Sequence, residues 1–159
     1  MYIYAFDISL SNTGLAIFTK KGIPVKITSF PTSSKEDHPY RLKIIADSII
    51  ELRNIFFPSL MIYESGFSRY MASTQAIYKT MGVIQYLFSD CEQKSFAPST
   101  IRKIVCGNGR ANKKDVENSI LKIWPNLSFE NDDQSDSVGV GLCFFMQTGV
   151  IKNGKNQCL

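Results

Sequence analysis

The chain has 159 residues, of which 44% are hydrophobic and 20% are charged, and its formal net charge is +4. This size and composition predict one globular domain, and no stretch approaches the roughly 20 consecutive apolar residues of a membrane span. Asp7 interrupts the first apolar residues, so we expect no secretion signal. The mild positive charge is compatible with a polyanionic partner but does not identify one.

The cysteines show neither a C-x-x-C spacing nor a nearby histidine, so they indicate neither a zinc site nor a disulfide framework. We therefore expect reduced thiols in a cytoplasmic protein. The four residues concerned are Cys91, Cys106, Cys143 and Cys158.

The first predicted element is a buried strand over residues 3–6, which ends at Asp7. A polar turn and a second apolar run over residues 15–18 follow, so the two runs predict a hairpin. A carboxylate at the end of a buried strand is costly to ionise unless a cation or hydrogen-bond donors compensate it. We expect a metal ion at Asp7; a turn-forming Asp that bonds to its own loop is the structural alternative.

The later elements are predicted from short apolar runs for strands and from apolar residues at helical spacing for helices. The loop between the third strand and the first helix carries His38, to which we assign no catalytic role. The order β-β-β-α-β-α-β-α-α-α predicts an α/β fold over residues 1–150, followed by a flexible tail over 151–159. The predicted strands cover residues 25–30, 60–63 and 94–97. The predicted helices cover residues 40–56, 73–89, 113–124 and 133–147, and a further short helix begins at Pro98.

Two predicted strands end in single acids, Asp7 and Glu64, and the last helix begins with Asp133 and Asp136. Acids three residues apart share a face of a helix. If this helix packs across the sheet near the strand ends, four carboxylates converge, and hard cations such as Mg²⁺ or Mn²⁺ relieve their repulsion. Two such ions can clamp the attacking and leaving oxygens in phosphodiester hydrolysis.

Each acid also has a structural alternative when it is taken alone. Glu64 could pair with Arg69, and Asp132 and Asp133 could cap the last helix. Asp136 could be a first-turn acid of the same helix. The acids at two strand ends and one helix start, taken together in this order, favour the metal site.

Lys113 and Lys114 lie in the first turn of a predicted helix, where their charge opposes the helix dipole. Asn112 and Asp115 predict a capping box there, which explains the helix but not the lysines. A phosphate at this helix start would suit both the amides and the lysines; solvated lysines are the alternative.

Further basic residues could extend the same surface, and two aromatic residues on a turn after Glu64 could stack on unpaired bases. The basic candidates are Arg102, Lys103, Arg110, Arg69 and Lys79, and the aromatic ones are Phe67 and Tyr70.

These motifs, spread over nearly the whole chain, resemble the RuvC family of Holliday junction resolvases, which has an RNase H-like fold. The matching segments are the strand-ending Asp7 with its turn closed by Gly14, the run Tyr63-Glu64-Ser65-Gly66-Phe67, the loop Gly107-Asn-Gly109 leading to Lys113, and Asp133-Gln-Ser-Asp136. The resemblance implies a mixed five-stranded sheet flanked by helices. It also implies a homodimeric, Mg²⁺-dependent endodeoxyribonuclease that cuts four-way junctions by paired nicks, with Mn²⁺ able to substitute and forks as further candidate substrates.

By the same resemblance, Asp7, Glu64, Asp133 and Asp136 are the catalytic acids that hold two ions, and Lys113 is a catalytic lysine. Arg102 matches a functional basic position, and Phe67 matches an aromatic residue that stacks on bases. The helix over 73–89 is our candidate for the dimer contact.

The chain also departs from the family pattern. It has Asp-Ile-Ser where cellular members more often have Asp-Pro-Gly, and Ser137 and Gly139 replace usual alanines. Such a divergent chain resembles a phage-encoded member acting in the host cytoplasm. The alternatives are an RNase H-like nuclease that cuts another substrate, such as RNA in hybrids, and a non-catalytic protein that binds branched DNA.

Overall fold

The computed structural model describes residues 1–66 and 71–152, in which every predicted element is present with bounds shifted by at most three residues. The strands are β1 (Tyr2–Asp7), β2 (Asn12–Thr19), β3 (Pro24–Pro31), β4 (Pro58–Glu64) and β5 (Glu92–Phe96), and the helices are α1 (His38–Ile55), α2 (Met71–Leu87), α3 (Pro98–Cys106), α4 (Lys113–Ile123) and α5 (Asp132–Gln147).

The strands form one mixed sheet in the order β3-β2-β1-β4-β5, which confirms the predicted fold class. The pairs β1–β2 and β2–β3 are antiparallel, whereas β1–β4 and β4–β5 are parallel. Phe6 of β1 pairs with Tyr63 of β4, so the next residues, Asp7 and Glu64, end neighbouring parallel strands. Both acids therefore lie at the same edge of the sheet.

Alternation along the strands decides which layer each side chain meets. Ala5 and Ile62 pack in the core on the side of α3, α4 and α5, whereas Tyr4 and Met61 pack on the side of α1 and α2. Asp7 and Glu64 lie two residues after Ala5 and Ile62, so they point to the same side of the sheet as those two residues. They therefore face the layer that contains the last helix.

The last helix, α5, lies in the centre of its layer, with buried residues along most of its length. Its start approaches the sheet closely, because a Cβ on Gly14 would lie 2.0 Å from the carbonyl oxygen of Asp133. Asn131 caps this helix, since its side chain accepts a hydrogen bond from the Gln134 amide. Asp132 and Asp133 are therefore not the N-cap, but both lie in the first turn of α5, where the helix dipole favours acids as the structural alternative proposed.

The predicted capping box of α4 is confirmed: Asn112 accepts from the Asp115 amide, and Asp115 accepts from the Asn112 amide. At the other end of the domain, Ile151 donates its amide to the Phe145 carbonyl, 3.0 Å away, and packs on the core, although the sequence prediction placed this residue in a flexible tail.

Cys91, Cys106 and Cys143 are free thiols, as expected, and Cys158 lies outside the described residues. Within residues 1–66 and 71–152, the structure has no helix long and apolar enough to cross a membrane.

Candidate active site

The two strand ends meet the helix layer at a cavity of about 240 Å³. The acids of its lining come from β1, β4 and α5, and the basic residues come from α3 and α4. The charged residues that line it are Asp7, Glu64, Asp136, Arg102 and Lys113.

Negative charge in this cavity is only partly compensated. Burial raises the pKa of Asp7 from its ordinary value of 3.8 to about 7, and repulsion from Asp136, Glu64 and Asp133 adds to the rise. Burial and Asp136 likewise raise the pKa of Glu64, although Arg102 and Lys113 oppose this increase. A cation that entered the cavity would remove this repulsion.

Lys113 forms ion pairs with acids at the start of α5. Its Nζ lies 2.7 Å from Oδ2 of Asp136 and 3.6 Å from Oδ2 of Asp132, and its side chain stays 60% exposed. The hydrogen bond to Asp136 raises the pKa of Lys113. The capping box holds this lysine in the first turn of α4, where it can reach both α5 and solvent.

Asp133 contributes to the electrostatics of Asp7 but does not line the cavity. Its Oδ2 accepts a hydrogen bond from Nδ2 of Asn12 at 2.8 Å. Oδ1 of Asn12 is buried and has no hydrogen-bond partner in the described part of the chain. Sequence reasoning missed Asn12; its only signal is an amide side chain in the turn that follows the first acid.

The acid set has the chemistry of a site for hard cations, because all its donors are carboxylate oxygens. In residues 1–66 and 71–152, no group of three or more His, Cys, Asp or Glu side chains has an arrangement that could hold a metal ion. The expected convergence of four carboxylates is thus incomplete, since Asp136 pairs with Lys113 and Asp133 with Asn12. Burial and then the neighbouring acids nevertheless raise the pKa of Asp7, so a cation at these carboxylates would relieve an unfavourable charge.

The other predicted DNA contacts are distributed around this cavity. Arg102 lines it and also lines a neighbouring cavity of about 520 Å³ beside the loop after β4. Lys103, Arg110 and Lys114 are exposed and are not part of its lining. Phe67, Arg69 and Tyr70, and with them the alternative pairing of Glu64 with Arg69, lie outside the described residues.

Comparison with known proteins gives a consistent result. The family model "Crossover junction endodeoxyribonuclease RuvC" matches residues 3–144. The protein of that name from Halothermothrix orenii is 28% identical over 151 residues, which covers 90% of this chain and 91% of that protein. The one from Rickettsia bellii strain OSU 85-389 is 26% identical over 147 residues, which covers 88% and 94% of the two chains.

Two solved structures share the fold. Thermus thermophilus RuvC superimposes with a TM-score of 0.81 at 17% identity, over 94% of this chain and 98% of that one. The structure described as T. thermophilus RuvC in complex with Holliday junction substrate gives 0.83 at 18% identity, over 94% and 97%. With a family match over most of its length and this RNase H-like fold, the chain belongs to the RuvC family of crossover junction endodeoxyribonucleases.

Proposed function

We propose that this protein is a metal-dependent, structure-selective endodeoxyribonuclease that resolves four-way DNA junctions in the cytoplasm. The observation that carries the proposal is the cavity itself: Asp7 and Glu64 end neighbouring strands, Asp136 faces them, and Lys113 and Arg102 border them. Membership of a family named for crossover junction cleavage supports the substrate.

The acids Asp7, Glu64, Asp133 and Asp136 would hold Mg²⁺, with two ions per site and Mn²⁺ as a substitute. When bound, such ions supply an activated water and stabilise the leaving oxygen of a phosphodiester. Burial and mutual repulsion keep Asp7 poorly compensated in the metal-free protein, which favours cation uptake. Asn12 would orient Asp133 through its hydrogen bond.

Lys113 and Arg102 would hold the scissile phosphate from two sides of the cavity, because they lie on different helices that meet there. The first turn of α4 adds amide donors and a positive dipole end beside Lys113. Lys103, Arg110 and Lys114 would contact more distant phosphates as exposed cations. Phe67 and Arg69 remain candidate DNA contacts on the basis of sequence alone.

A homodimer would supply two such cavities, one for each of two opposing strands of a junction with near two-fold symmetry. The solvent face of α2 supports this arrangement, since Met71, Tyr78 and Tyr86 are 79%, 55% and 78% exposed and lie on one stripe. In the double variant Tyr78→Glu/Tyr86→Glu we expect a folded monomer in sedimentation experiments. Tyr40→Glu, at an exposed position on α1, is the control; a dimer that survives the double change would refute this contact.

The decisive experiment uses end-labelled four-way junctions, forks, linear duplex and RNA–DNA hybrids, each with Mg²⁺, Mn²⁺ or EDTA. We expect paired symmetric nicks in the junction that disappear in EDTA. Asp7→Asn should bind the junction without cutting it, and turnover in that variant would contradict the assignment. Preferred cutting of the hybrid would indicate another RNase H-like nuclease, and binding without cutting under every metal condition would leave a branched-DNA-binding protein.

A further inference from the structure

A second cavity, of about 470 Å³, opens at the same edge of the sheet as the acids but on the side of α1 and α2. Its walls come from the turn that follows β1, from the first turn of α1 and from the first two turns of α2. Ser9, which lines it, follows Asp7, which lines the acid cavity, by two residues. The polar lining residues are Ser9, Ser11, His38, Arg41 and Ser73.

Arg41 gives this cavity an uncompensated positive charge. The residue is only 8% exposed, and its Nε donates a hydrogen bond to Oγ1 of Thr32 at 2.8 Å. Across residues 1–66 and 71–152, no carboxylate lies within 4.0 Å of its guanidinium. Burying a charge without a counterion is costly, so the position favours an anion from outside the chain.

The remaining walls also supply hydrogen-bond donors. The hydroxyls of Ser11 and Ser73 lie in the lining, whereas the Ser9 hydroxyl already donates to the Asn12 carbonyl at 3.0 Å. Helix α2 begins beside the cavity at Met71. The start of a helix carries the positive end of its dipole. Asp37 is close in sequence, but its carboxylate caps α1 by accepting from the Tyr40 amide and does not line the cavity.

A buried guanidinium, hydroxyls and a helix N-terminus are together the chemistry that recognises a phosphate group. We propose that this cavity binds a backbone phosphate of the DNA, close to the phosphate that is cut; the assignment rests on the proposed nuclease function. Thr32 anchors Arg41 and donates to the carbonyl of Leu10, which fixes the guanidinium relative to the turn after Asp7. The cavity thus adds a DNA contact on the opposite side of the turn from the acids.

The test is the salt dependence of four-way-junction binding in EDTA, where no cutting occurs. Each lost phosphate contact lowers the slope of log K against log salt by about 0.9, so we expect this change in Arg41→Gln, with binding about tenfold weaker. Arg41→Lys should recover most of the slope. Lys43→Gln is the matched control, because Lys43 is an exposed cation of the same helix, paired with Asp47.

A second variant tests the same cavity in case Arg41→Gln does not fold. Ser73→Asp leaves Arg41 in place, and an acid in the first turn of α2 suits the helix dipole. It should repel a phosphate and lower the slope to a similar extent. Folded Arg41→Gln and Ser73→Asp proteins that keep the wild-type slope would overturn the proposal.

Inorganic phosphate separates the two sources of the anion. Suppose that added phosphate shifts the NMR signals of the Arg41 Nε–H and the Ser73 amide in a saturable way, while the variants keep the wild-type salt slope for the junction. The cavity then binds a free anion, and the DNA assignment fails. A protein that shows the slope change but never cuts DNA would refute the nuclease and keep this site. A protein that cuts junctions, but whose variants show no slope change, would refute this site and keep the nuclease function. A protein that binds no junction would refute both the nuclease function and this site.

Discussion

Removing the carboxylate at position 7 should stabilise the metal-free protein at neutral and alkaline pH. The pKa of Asp7 rises from 3.8 to about 7 on folding, mainly through burial and then through its acidic neighbours. The folded state therefore binds this proton more tightly than the unfolded state does. Stability from the protonated acid is fully present below about pH 4 and is lost as the pH rises through about 7. Asp7→Asn carries no such dependence.

The size of the effect follows from the two pKa values. Full loss across the range corresponds to about 4 kcal/mol, at roughly 1.4 kcal/mol per pH unit. Of this change in the free energy of unfolding, about 2–3 kcal/mol falls between pH 5 and pH 8. The free energy of unfolding of Asp7→Asn, relative to the wild type, should thus increase by about 2–3 kcal/mol over that interval.

The assay is urea unfolding in EDTA at pH 5, 6, 7 and 8, followed by circular dichroism. Glu51→Gln is the matched control, since it removes an exposed acid from α1, on the opposite side of the sheet. For that variant, the difference from the wild type should not change with pH. If the difference for Asp7→Asn were equally flat, Asp7 would titrate like an exposed acid, and the argument for an uncompensated cavity would fail.

Three further results are expected. Millimolar Mg²⁺ should raise the melting temperature of the wild type but not of Asp7→Asn, because a ligand stabilises only the state that binds it; equal shifts would place the ion elsewhere. Gly14→Ala should lose roughly 2–3 kcal/mol in urea unfolding, since its Cβ would lie 2.0 Å from a backbone oxygen. Gly82→Ala, with nothing within 4 Å, should gain up to about 1 kcal/mol, and equal losses in the two would refute this reasoning. Asn12→Ala should lower Mg²⁺ affinity about tenfold in calorimetry, and unchanged affinity would make its contact with Asp133 structural only.

The strand-ending acids could be predicted because each strand is a short apolar run with a clear end. In β1 and β4 the first charged residue marks the point where burial stops, and parallel neighbours bring such points together. The helices followed from apolar spacing and from breakers such as Pro98. Asp133 and Asp136 could be located for the same local reason, since both lie at a helix start.

Other parts of the site depend on contacts between distant segments and leave little trace in the sequence. The hydrogen bond from Asn12 to Asp133 joins residues 121 positions apart. Arg41 occupies an ordinary polar position of an amphipathic helix, and only the packing of α1 on the turn after β1 buries it. Likewise, the pairing of Lys113 with Asp136 depends on how α4 meets α5, which neither helix pattern specifies.

The burial of α5 has a consequence for how the protein loses activity. Two of the proposed acids lie in the first turns of a helix whose following residues, from Ser137 to Phe145, are all buried. Amides in such a segment exchange with solvent mainly when the whole domain opens, unlike those of a surface loop. The geometry of the acids should therefore persist for as long as the domain is folded. On heating, we expect cleavage activity to disappear together with the cooperative unfolding of the domain, with no earlier inactive and folded stage.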